Sequence, residues 1–175
     1  MYAGHVGFAL GAKGIRPALP LWALIIASQL PDWSDATACL SGFHSVTPGM
    51  FSHSLPAIGL LTLLATVAYL AATRDLVGAG FVAILVVSHV LGDYVTGLKP
   101  TWSGGPMIGL QLYRHPVWDF VVEGVVILVG WLIYRASLSR ERRSAHDTWA
   151  LLGVLLALQA LADIVFFVSP GLRKC

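Results

Sequence analysis

Hydrophobic and polar positions fall in blocks along this chain. Four long apolar runs cover residues 57–72, 76–95, 117–134 and 148–168. A helix rises about 1.5 Å per residue, and roughly 20 apolar residues cross a hydrocarbon core of about 30 Å. Each run is therefore read as a membrane helix. Two shorter apolar segments precede them. Residues 2–12 carry His5 among Gly4, Gly7 and Gly11, and residues 17–30 follow the turn signal Lys13-Gly14 and the opening Arg16-Pro17. The second segment ends in Leu30-Pro31-Asp32-Trp33-Ser34-Asp35, where proline and acids are expected to stop a helix. Both are short for a span and predict a compact N-terminal helical hairpin.

Polar blocks separate the helices. Residues 36–52 are rich in Ser, Thr and Gly; residues 97–116 are rich in Gly and Pro, with Trp102 and Gly104-Gly105-Pro106; residues 135–147 are strongly basic. Thr73-Arg74-Asp75 joins the first two long runs, and Ser169-Pro170-Gly171 closes the last. No internal repeat or domain boundary interrupts the pattern. The expected fold is one all-α domain over residues 1–175, a polytopic bundle of three to four long helices plus the short hairpin.

Composition agrees. The 175 residues are 57% hydrophobic and 11% charged, against roughly 25% charged in soluble domains. The partner they imply is the lipid bilayer. A net charge of +2 without a basic, aromatic-interleaved stripe argues against nucleic acid. Cys39 and Cys175 lack a C-x-x-C spacing and read as two unrelated thiols. The N-terminus lacks a signal-peptide pattern, so insertion is expected to rely on the membrane helices themselves. Nothing in the chain sets an oligomeric state.

Arg135, Arg140, Arg142 and Arg143 share one short connection with Glu141 as its only acid before Asp147. The positive-inside rule places that connection in the cytoplasm. Alternation then puts Arg74 on the same side, with Lys13 and Arg16 near it, and Asp32, His53, Asp93 and residues 97–116 opposite. Arg173 and Lys174 run against the rule.

That topology collects the chain's awkward polar residues at one level. His89 and Asp93 are four apart, on one face of a helix. His53 begins its helix, Asp119 and Glu123 sit in the first two turns of another, and Asp163 lies in the last two turns of a fourth. Ionisable groups inside a membrane helix mark function more often than packing. Histidine with aspartate suits zinc, manganese or iron. Each residue also has a plainer role. His89 and Asp93 could be a hydrogen-bonded pair, Asp32 a helix terminator, His53 part of a capping cluster, and His5 a tolerated polar residue. Asp35 could be a loop cap or an acceptor behind a ligand, and Asp119 and Glu123 could pair with Arg114 and His115. His44, His115 and His146 read as loop residues. No G-x-S-x-G elbow or phosphate-binding glycine loop offers another chemistry.

Gly4-His5, Leu30-Pro31-Asp32-Trp33-Ser34-Asp35, Phe51-Ser52-His53-Ser54 and His89-Val90-Leu91-Gly92-Asp93 occur in that order over the first hundred residues. In this the chain resembles the YdjM-like family of inner-membrane metal-dependent hydrolases. It departs at Pro48-Gly49, where members often carry His-Arg, and its acidic segment is one residue longer. The pattern is also similar to zinc-dependent phospholipases C and single-strand-specific zinc nucleases. The resemblance implies a divalent metal site, zinc first and one or two ions, held by His5, Asp32, His53, His89 and Asp93. Asp35, Asp119 or Glu123 would orient water or move protons. The implied activity is hydrolysis of an ester or phosphoester, of a small molecule or lipid, near the extracytoplasmic face of the inner membrane. A cation or proton transporter, or a scaffold with a structural metal, would use the same residues.

Overall fold

In the computed structural model, which describes residues 3–43, 47, 49–144 and 146–168, the apolar runs form α4 (Leu55–Thr73), α5 (Leu76–Thr96), α6 (Pro116–Ser137) and α8 (His146–Val168). Among the described residues these four helices are long and apolar enough to cross a membrane. Their ends follow local chemistry. Ser54 accepts from the Ala57 amide at 3.4 Å and caps α4, Asp75 accepts from the Gly78 amide at 3.0 Å and caps α5, and Pro116 opens α6. Leu60, Leu63, Leu64 and Val67 leave α4 apolar on its outside, and α4 packs chiefly on α5. An apolar exterior of this kind fits lipid. The chain is an all-α membrane bundle, as its pattern predicts.

The first helix of the hairpin occupies the middle of that bundle, and the second lies along its side. Helix α1 (Gly4–Ile15) is about 18 Å long at 1.5 Å per residue, too short to span. It is buried against α2 (Leu21–Leu40), α5 and α6. Glycine makes the α1–α6 approach close. A Cβ on Gly7 would lie 2.6 Å from the Val126 carbonyl oxygen, and one on Gly130 would run into the Gly7 carbonyl. Such small-residue contacts let helix backbones meet where lipid gives no hydrophobic drive. At the hairpin's turn, Arg16 Nη2 meets Asp75 Oδ1 at 3.1 Å, tying it to the α4–α5 turn. Lys13 Nζ donates to the Pro17 and Leu19 carbonyls. Arg135 lies over Trp131 and Trp149 at the same end of the bundle, where α6 runs toward α7 (Arg140–Ser144) and α8.

Three expectations change. Helix α2 does not stop at Leu30 but continues through Pro31 to Leu40. Proline removes one amide donor and crowds the preceding turn, and a membrane bundle tolerates this when side chains and neighbouring helices satisfy the freed groups. On either side of Pro31, the Ser28 carbonyl meets a side chain of α5, and the Ser34 and Thr37 hydroxyls donate to the Leu30 and Trp33 carbonyls, each at 2.7 Å, which ties this stretch of α2 to its own turns and to α5. Asp32 and Asp35 thus lie three apart on one helix. The Gly/Pro-rich block holds a small antiparallel hairpin, β1 (Lys99–Pro100) with β2 (Met107–Ile108), turned at Gly104 with φ +74°. Cys39 is disulfide-bonded rather than a lone thiol. Cys175, His44, Pro48, Arg173 and Lys174 lie outside the described residues.

Candidate metal centre

Three helices deliver four side chains to one point beside the N-terminal half of α1. Asp32 comes from α2 just beyond Pro31, His53 from the end of the short α3 (Met50–His53), and His89 and Asp93 from adjacent turns of α5. One ligand atom from each lies within 4.8 Å of all the others, a group that can hold a metal ion. His53 Nε2 stands 3.1 Å from Asp32 Oδ1, 3.0 Å from Asp93 Oδ2 and 3.2 Å from His89 Nε2. His89 Nε2 is 3.4 Å from Asp32 Oδ1 and 3.6 Å from Asp93 Oδ2. Ligand atoms about 2.0–2.2 Å from a tetrahedral zinc are roughly 3.3–3.5 Å apart. The observed separations bracket that value.

The outer contacts aim the imidazoles. His89 Nδ1 is 2.7 Å from the Ser28 carbonyl, which only accepts, so Nδ1 carries a proton and a neutral ring turns its Nε2 lone pair inward. Ser52 Oγ donates to Asp35 Oδ1 at 3.0 Å and lies 2.6 Å from His53 Nδ1. With its own proton spent on Asp35, the hydroxyl accepts from Nδ1–H, and the His53 Nε2 lone pair also faces inward. Two buried lone pairs 3.2 Å apart, with two carboxylates around them, form an acceptor-rich pocket suited to a cation. Metal-bound histidines are usually oriented in this way by a carbonyl or a carboxylate chain.

His5 approaches from the opposite side. Its ring stacks on His89 with centroids 3.6 Å apart, and its Nε2 is 3.3 Å from Asp93 Oδ1 and 4.0 Å from Asp32 Oδ2. These are the carboxylate oxygens that His53 and His89 do not face. Its Nδ1 has no hydrogen-bond partner among the described residues. Asp35 stands behind His53, reaching it through Ser52.

Asp119 and Glu123 go elsewhere. Glu123 Oε2 accepts from the Gly4 amide at 3.2 Å, and Gln159 Oε1 accepts from the Ala3 amide at 3.0 Å. Gln159 Nε2 donates to Asp163 Oδ1 at 2.8 Å. This second polar group holds the start of α1, one residue before His5. The group that can hold a metal contains neither acid.

Sequence reasoning missed Lys99. Its Nζ reaches from strand β1 to within 2.8 Å of Asp93 Oδ2. Burial works against its ammonium, but the Asp93 and Asp32 carboxylates outweigh burial and hold its pKa above the usual lysine value. A lysine six residues past a candidate ligand in a loop gave no periodic signal. Ser28 was equally hidden, because it contributes only a backbone carbonyl. Gln159 was findable as a polar residue in an apolar run, one turn from Asp163.

No protein-family model, curated protein or solved structure matches this chain.

Proposed function

We propose that the chain is a membrane-embedded metal-dependent hydrolase acting on an ester or phosphoester, with zinc the best-fitting metal and manganese or iron as substitutes. The carrying observation is the convergence of the Asp32, His53, His89 and Asp93 ligand atoms with both imidazoles aimed inward by Ser28 and Ser52. Nitrogen and carboxylate donors at these separations suit zinc. A divalent ion held there supplies a nucleophile from water at neutral pH and polarises the oxygen of the scissile group.

The chain's own residues supply the rest. Asp32 and Asp93 present one oxygen each to His53 and His89 and the other to His5. Were a second ion held beside the first, His5 would hold it together with Asp32 and Asp93. Asp35 acts through Ser52 to fix the His53 tautomer, and is a positioning residue. Lys99, an ammonium at the edge of the site, is placed to hold an anionic substrate oxygen. Glu123 and Gln159 fix the start of α1 and thereby His5. The resemblance of the ordered motifs to those of the YdjM-like family is in keeping with this reading.

Two signals support an extracytoplasmic site. The arginine-rich α6–α8 connection lies at the end of the bundle away from the site, and by the positive-inside rule this favours a site outside the cytoplasm. Cys39, on the site side of α2, is disulfide-bonded, and disulfides persist in oxidising compartments. A transporter would need polar groups continuing below the site, whereas the groove there is lined by Gly, Ala, Ile, Leu, Val and Phe apart from Ser88.

The test is metal analysis of purified protein followed by a panel of soluble and lipid esters and phosphoesters. Bound metal with metal-dependent turnover is the expected result. Bound metal with no turnover on any member would replace the hydrolase with a structural metal site.

A further inference from the structure

Below the metal centre the bundle is open on one side. A groove of about 370 Å³ runs between α5 and α6 with α1 as its floor, within the size of small-ligand pockets. Gly7, Gly11 and Ala12 give the floor almost no side chain, Ile84 forms part of one wall, and Val125 and Val129 form the other. Ser88 brings the one hydroxyl, and it is already satisfied by the Leu85 carbonyl at 2.9 Å. The outer rims, Ile84, Val125 and Val129, are exposed on candidate membrane spans, so the groove opens sideways toward hydrocarbon.

Its upper end abuts the site. Phe8 lines the groove and its ring is 6.5 Å from that of His5, while Ser88 precedes the ligand His89. From Gly7 the floor descends to Ile15, about 12 Å at 1.5 Å per residue. We infer that this groove receives one acyl chain of a bilayer lipid whose ester or phosphoester lies at the metal centre. The inference rests on the hydrolase reading for the reaction but not for the binding. The lining excludes a peptide or a sugar, which would bring polar groups with no partner. The direction also fits. A lipid of the extracytoplasmic leaflet, with its headgroup level with the ligands, points its chains down the groove toward the cytoplasmic end.

The test uses the full chain in vesicles of phosphatidylethanolamine and phosphatidylglycerol, with a phosphatidylglycerol carrying a mid-chain diazirine as probe. Photolabelling of the α1 peptide at Gly7–Ala12 should saturate and be displaced by unlabelled lipid, because that stretch is largely buried and Gly7, Phe8, Gly11 and Ala12 line the groove. It should be lost in Val129→Trp and in Ile84→Trp, which fill the groove from opposite walls, while labelling of the lipid-facing α4 stays constant as a check on folding. Labelling of α1 that never saturates, or that survives both substitutions with α4 unchanged, would overturn the inference. Turnover is read separately on long-chain and water-soluble short-chain esters. Saturable labelling without turnover on either removes the hydrolase and leaves the acyl site standing. Turnover that both tryptophan variants lower equally on long and short chains counts against the groove and leaves the hydrolase.

Discussion

Ser52→Ala tests the claim that the imidazoles are oriented for a metal. The hydroxyl is fully buried, sits 2.6 Å from His53 Nδ1 and donates to Asp35 at 3.0 Å, yet it is not itself in the ligand group. Removing it leaves the ring proton without an acceptor and frees His53 to rotate or change tautomer. Loss of an outer partner of this kind weakens metal binding about 10- to 100-fold, or about 1.4–2.8 kcal/mol at 1.4 kcal/mol per decade. The penalty for an orphaned buried donor, about 1–3 kcal/mol, covers the same range. Asp35→Asn keeps a carbonyl oxygen that can accept from Ser52, so its effect should be smaller, under about tenfold by the same scale. Zinc affinity is read in detergent by competition with a chromogenic chelator, beside thermal unfolding of the metal-free proteins. Ser52→Ala binding zinc as tightly as the parent, with a normal unfolding transition, would refute the orientation argument and favour a packing role for His53.

Zinc should stabilise the protein. At about 100 times its dissociation constant a ligand adds about 2.7 kcal/mol, which for a chain of this size raises the melting temperature by roughly 5–10 °C; chelator should reverse the shift. Lys99→Met should tighten zinc binding several-fold, because the ammonium shares Asp93 Oδ2 with the site. Weaker binding would mean instead that Lys99 holds Asp93 in place. Gly130→Ala should abolish the folded bundle or lower its melting temperature sharply, since the added methyl meets the Gly7 backbone. Gly59→Ala, with open space around its Cβ, is the matched control.

Most of the architecture was legible because membrane helices declare themselves by length and apolarity. The common depth of the ligands was legible too, since alternation converts residue order into depth. Pro31 misled because the rule that proline ends a helix holds where water or a turn takes over. In this bundle α2 continues, and its acids become two positions on one helix face. Depth also could not separate the two polar groups. Asp119, Glu123 and Asp163 share the level of the ligands but gather at the start of α1, a partition set by how α6 and α8 pack around it. The sequence pattern carried no trace of the groove, which exists because a short glycine-lined helix fills the centre without reaching the space between α5 and α6.

The central claim is that His89 and Asp93 hold a metal with Asp32 and His53. Metal content of the purified parent beside His89→Ala, Asp93→Ala and the double variant tests it most directly, after equilibration with zinc and removal of excess. The account predicts stoichiometric zinc in the parent, little in either single variant and none in the double variant. Equal zinc in all four folded proteins would contradict it.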